Sequence, residues 1–247
     1  MEEHVLKEDE LVMVSDEQGD MPEGRRRLGL YYRDMRYLSI FEMTINGQGP
    51  RLLSSSSEQN YVCDIQLANP TMGLPDGNTA LARTIGIRRS RFLKEGLHER
   101  VGFYNHNPFP VPLQFTLTFG SDFCDIFEVR GWERESRGTL NPPTLAGSRL
   151  TLGYVGLDGV RRRTEILFEV TPSRAEVEER PAQPVLRRSS TFLPEATETA
   201  TMTVYHPSCA RVSWDLTLMP GNPSPSPFTS SSARGSLPLW RRPSTRA

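Results

Sequence analysis

Three carboxylates and a guanidinium lie close together at Asp122, Asp125, Glu128 and Arg130, inside the run Ser121-Asp122-Phe123-Cys124-Asp125-Ile126-Phe127-Glu128-Val129-Arg130-Gly131-Trp132. Paired carboxylates are the minimum equipment for glycoside hydrolysis, one protonating the leaving oxygen and the other acting as base or nucleophile. Their use depends on the backbone. On a helical turn Asp122 and Asp125 are neighbours about 5–6 Å apart at Cβ, with Phe123, Ile126 and Phe127 opposite. On a strand Asp125 sits between Phe123 and Phe127. Acids this close are common without catalysis, and the simpler reading is that Arg130, Arg134 or backbone amides satisfy them. That reading is preferred over direct catalysis.

A second cluster, Gly29-Leu30-Tyr31-Tyr32-Arg33-Asp34-Met35-Arg36-Tyr37, places Tyr32, Arg33, Asp34 and Arg36 side by side. Flat aromatic rings cover the C–H faces of a sugar while Arg and Asp bind its hydroxyls, so the composition suits a glycan or an interdomain contact. The plainer alternative is a strand whose tyrosines enter the core and whose Arg33 and Asp34 form a solvated ion pair worth under about 1 kcal/mol. Other chemistries lack their signatures. His4, His98, His106 and His206 show neither H-x-H nor H-E-x-x-H spacing, so no metal and no cofactor is expected. A G-x-S-x-G elbow and a P-loop are absent too.

The elements that must hold these residues read as strands. Val111, Leu113, Phe115, Leu117 and Phe119 alternate with polar or small residues, the period of a half-buried strand. Leu150, Leu152 and Tyr154 alternate into Gly156-Leu157-Asp158-Gly159, and Thr164, Ile166, Phe168 and Val170 alternate out again, which predicts a hairpin. Val212, Trp214, Leu216 and Leu218 make another such face, and shorter strands are expected at 11–14, 28–32, 37–45, 84–88, 101–104 and 201–205. The best helical stretch is Ser173–Glu179, where Ser173 and Glu176 have capping-box spacing. The expected fold is all-β, a two-sheet antiparallel β-sandwich with few short helices.

Composition sets the outer limits. The 247 residues carry 29 Lys+Arg against 30 Asp+Glu, a net charge of −1 that gives no pull toward nucleic acid or anionic lipid. Neither a membrane nor a nucleic acid is an expected partner. The N-terminus shows no secretory signal, and Cys63, Cys124 and Cys209 are scattered, so the cytoplasm is the expected compartment. From Gly221 the last 27 residues hold five prolines, seven serines and no acidic residue, which reads as a disordered tail at 221–247 after a folded domain at 1–220.

Taken together, these motifs resemble the N-terminal domain of bacterial and archaeal glycogen debranching enzymes of the amylo-alpha-1,6-glucosidase type. The resemblance runs from Val5-Leu6-Lys7-Glu8 and Val14-Ser15-Asp16 through the 29–39 cluster, Asn69-Pro70, Glu99-Arg100 and Asn105. It peaks at Asp122 to Gly131 and continues through Tyr154 to Val160 and Arg163-Thr164. Met35 and Cys124 are small departures, standing where the family usually has threonine and alanine.

The resemblance implies a supersandwich-like, non-catalytic domain that supports a helical (alpha/alpha)6 barrel, where the acid and base carboxylates of such proteins lie. The implied partners are that barrel and an alpha-glucan. Tyr32, Arg33, Asp34, Arg36, Asp122, Asp125, Glu128 and Arg130 become interdomain or glycan contacts. Because no barrel follows position 221, a truncation, frameshift or fragment is expected. The alternatives are a free-standing glycan-binding or interaction module, or a small glycosidase using Asp122, Asp125 and Glu128.

Overall fold

The alternation from Val111 to Phe119 is realised as a ten-residue strand, Val111–Gly120, whose five alternating apolar side chains are all buried. A computed structural model describes residues 3–57, 60–132, 134, 136–178, 183–188, 199–204, 207–221 and 223–224. The chain opens with β1 (Glu3–Glu8), β2 (Leu11–Asp16), β3 (Gly29–Tyr32), β4 (Met35–Leu38), β5 (Ile40–Ile45), β6 (Arg51–Ser56) and β7 (Val62–Ala68). It continues through β8 (Met72–Gly73), β9 (Thr79–Ala80), β10 (Ile85–Leu93), β11 (Leu97–Asn105), β12 (Val111–Gly120) and the single turn of helix α1 (Ile126–Val129). Then come β13 (Thr139–Ala146), β14 (Arg149–Val155), β15 (Arg161–Leu167), β16 (Arg174–Glu178), β17 (Gln183–Arg188), β18 (Thr199–Val204), β19 (Cys209–Leu218) and β20 (Pro223–Ser224).

The fold is all-β, as expected, but the strands do not gather into two sheets. They divide among several small antiparallel sheets, more like separate blades than a two-layer sandwich. Four strands form a meander β1-β2-β3-β4, five are ordered β20-β11-β10-β7-β6, four β16-β19-β12-β5, and three β13-β14-β15. Pairs β17-β18 and β8-β9 stand apart. One further expectation is corrected. Within the expected helix at 173–179, Arg174–Glu178 is instead strand β16, paired with β19 at the edge of its sheet, and Glu179 lies outside the described residues. Within the expected tail, Pro223 and Ser224 pair with Tyr104 and Phe103. The rest of the expected tail, residues 222 and 225–247, lies outside the described residues.

The core is aromatic where the sheets meet. Phe41 stacks on Phe119 at 4.8 Å, Phe103 meets Phe115 edge-on at 5.2 Å, and Trp214 lies between Phe115 and Phe168. The indole N–H of Trp214 donates to the Val170 carbonyl at 3.0 Å, so its one polar atom is satisfied inside.

A charged knot is buried beside this core. Glu99 accepts from Arg89 Nε at 2.7 Å and from Arg91 Nε at 2.5 Å, and Arg89 reaches on to Asp20 at 2.5 Å. Burial works against the Glu99 charge, but the two guanidiniums outweigh it and hold its carboxyl below the ordinary range. The knot ties the β2–β3 loop to the five-stranded sheet. Among the described residues, no helix is long and apolar enough to cross a membrane, and no group of three or more His, Cys, Asp or Glu could hold a metal ion.

Candidate functional site

After β12 the chain must turn sharply, and it does so at Phe123, whose φ of +48° is a left-handed conformation costing about 1–2 kcal/mol for such a residue. Packing holds it there. The buried Phe123 ring stacks on Tyr154 at 5.5 Å and meets Tyr37 edge-on at 5.7 Å. The turn aims Asp122 inward and releases Asp125 to start α1.

Asp122 meets Arg36 in a buried two-pronged ion pair, with Arg36 Nε at 3.1 Å from Oδ1 and Nη2 on Oδ2. The remaining guanidinium nitrogen donates to the carbonyls of Arg26 at 2.6 Å and Leu28 at 3.1 Å. Burial disfavours the Arg36 charge, yet Asp122 outweighs it and raises the guanidinium above its ordinary value. Beside the pair, burial and then the Asp122 charge push the Cys124 thiol up to about 12, which leaves it unreactive at neutral pH.

Asp125 is the N-cap of α1. Its Oδ1 accepts the N–H groups of Phe127 and Glu128, both at 2.9 Å, while Glu128 Oε2 accepts the Asp125 N–H at 3.1 Å. This is a complete capping box, and it resolves the two backbone alternatives in favour of a helical turn that begins after Asp125. The other oxygen of Asp125 pairs with Arg134. Partial burial raises the Asp125 carboxyl, but the Glu128 amide, Arg134 and the Phe127 amide outweigh that and hold it below 3.8. Glu128 Oε1 pairs with Arg137 Nε at 2.8 Å, and Arg137 Nη2 donates to the Asp122 carbonyl at 2.7 Å.

The two sequence clusters are in contact. Arg36 donates its backbone N–H to Cys124 O at 2.8 Å, and Ile126 donates to Asp34 O at 2.8 Å, so residues 34–36 run alongside 124–126. Not every expected residue joins in. Asp34 contributes its carbonyl, and its exposed side chain plays no part in that contact. Arg33 leaves the site to pair with Glu10 at 3.2 Å, over the Tyr32 ring. Tyr32 packs edge-on against Tyr37 at 6.3 Å. Arg130 is exposed and acts through its backbone as the C-cap of α1, so Arg36, Arg134 and Arg137 neutralise the acids in its place.

A groove of about 270 Å³ lies over these groups, lined among others by Met35, Asp125, Glu128, Arg137, Asp158 and Arg162. Asp158 and Arg162 come from the β14–β15 hairpin and pair at 2.6 Å. The Arg162 hydrogen bond, with the Val160 amide, holds Asp158 down to about 2. Sequence reading missed Arg137, Asp158 and Arg162 as site residues. Only the last two carried a signal, an Asp and an Arg four apart across a glycine turn. Exposed apolar groups flank the acids: Trp132 is 71% exposed and Phe127 50%, with their rings 6.0 Å apart, and Leu157 is 70% exposed.

A family model described as the N-terminal domain of some glycogen debranching enzymes matches residues 6–223. No curated protein matches the chain.

Proposed function

We propose a role that starts from one premise: the chain belongs to the family of N-terminal domains of some glycogen debranching enzymes. Within it, this chain is a non-catalytic β module that docks a helical-barrel glycosidase domain and adds a wall to its glucan cleft. It works in the cytoplasm, a setting that its three free cysteines support.

The observation that carries the reading is that all three clustered carboxylates are engaged. Asp122 is locked to Arg36, Asp125 is spent on the N-cap and Arg134, and Glu128 on the cap and Arg137. A glycosidase acid needs a carboxyl whose pKa is raised toward neutrality, whereas Asp125 is held low. What remains presented to a partner is Phe127, Trp132 and Leu157 around an ion-paired groove, an apolar centre with a polar rim. An assay of glucose release from branched limit dextrin tests this. The purified chain should release none above buffer. Release that disappears in Asp125→Asn would overturn the reading.

A further inference from the structure

We propose that the outer face of the β11-β10-β7-β6 sheet binds a neutral oligosaccharide, at a site separate from the Asp125 groove. Ile87, Arg89, Arg91 and Leu93 of β10 are buried, so Arg88, Ser90 and Phe92 point outward. In the same way β11 buries Leu97, Glu99, Val101 and Phe103 and turns His98, Arg100, Gly102 and Tyr104 out. Between the two strands lies a groove of about 430 Å³, lined by Arg88, Ser90, Phe92, His98, Arg100 and Gly102. That volume is within the range of small-ligand sites.

The groove has the parts that sugar recognition needs. Phe92 and His98 stack with centroids 4.5 Å apart and planes within 1°, forming an aromatic wall at one end. Six residues along β11, about 20 Å at strand rise, Tyr104 and His106 form a second ring pair at 4.5 Å, beyond the residues that line the groove. The floor between is low: a side chain at Gly102 would meet nothing within 4 Å. Beside it Arg88 donates twice to Asp64 Oδ1, at 3.0 and 3.2 Å, and Ser90 Oγ donates to the same oxygen at 2.5 Å. Planar donors and acceptors next to ring faces match hydroxyls and C–H faces of a pyranose.

Charge and placement decide against other occupants. Asp64 compensates Arg88, Glu169 lies in the field of Arg100, and the chain's net charge is −1, which together disfavour a polyphosphate backbone. An extended peptide would add at a sheet edge, not on its face. The site rests on the sheet alone; choosing an alpha-glucan among neutral oligosaccharides rests on the family.

Calorimetric titration of the full chain with maltoheptaose and with glycogen tests the proposal. Saturable binding is expected, weakened at least tenfold by Gly102→Trp, which fills the floor, and also weakened by Arg88→Ala. Val177→Ser, on exposed strand β16 of another sheet, should leave it unchanged. Unaltered thermal midpoints in the two groove variants confirm that they remain folded. Absence of saturable binding to both sugars overturns the site. So does binding that survives Gly102→Trp but falls with Val177→Ser, or displacement by inorganic phosphate. The docking reading has a separate test, so either can fail alone.

Discussion

Arg36 and Asp122 are the most consequential residues of the site, because each is the other's means of staying charged out of water. Removing one partner strands the other. Asp122→Asn should therefore destabilise the chain by about 3–5 kcal/mol, read as a lower urea midpoint at unchanged slope. Asp125 differs, since its contribution is a cap and an exposed pairing. Asp125→Ala should cost about 1 kcal/mol at neutral pH. Its folded-state carboxyl lies below the ordinary 3.8, so its stabilisation is present above that value and is lost as pH falls through the lower folded value. The difference in midpoint between wild type and Asp125→Ala should accordingly shrink as the pH is taken from 7 toward 2. The charged residues of the site were legible as a cluster, and Arg134 and the backbone amides were legible as partners of Asp125, but the partner of Asp122 was not. Arg36 and Asp122 are 86 positions apart, and no local pattern records such a pairing.

At the scale of elements, two capping-box spacings met different fates. Asp125 and Glu128 form the box, while Ser173 and Glu176 do not. The second stretch lies beside the unpaired edge of β19, and Arg174–Glu178 gain a full antiparallel ladder there. A helix of two turns is marginal in water, so the ladder wins. Hairpin β14–β15 was legible because its alternation and glycine turn are local; β13, which completes that sheet, lacks clean alternation and includes a bulge between Asn141 and Thr144. The β2–β3 loop depends on Gly19, whose φ is +80° and whose added Cβ would lie 2.5 Å from Ile65 Cδ1 and 2.8 Å from Arg91 Nη1. Gly19→Ala should lower the thermal midpoint by several degrees, as strain at a positive φ and crowding of the charged knot combine. An unchanged midpoint would show that the loop can move away from the knot without cost.

For the molecule as a whole, alternation identified the strands and the all-β class but not their grouping. A period of two says which side of a strand is buried and leaves open which strand lies next to it. Pairings such as Val111 with Leu218 in β12 and β19 are set by closure of the whole chain, and they yield several small sheets where two were expected. This assembly holds residues 34–36 against 124–126 and turns Phe127, Trp132 and Leu157 to the outside. On the proposed function, this face meets a catalytic barrel. The decisive measurement is a titration of the purified chain against the separately produced helical-barrel domain of a debranching-family enzyme. Saturable association is predicted, weakened at least tenfold, about 1.4 kcal/mol, by Trp132→Ser, as expected for an exposed aromatic at the centre of an interface. No association, or association indifferent to Trp132→Ser, would contradict it.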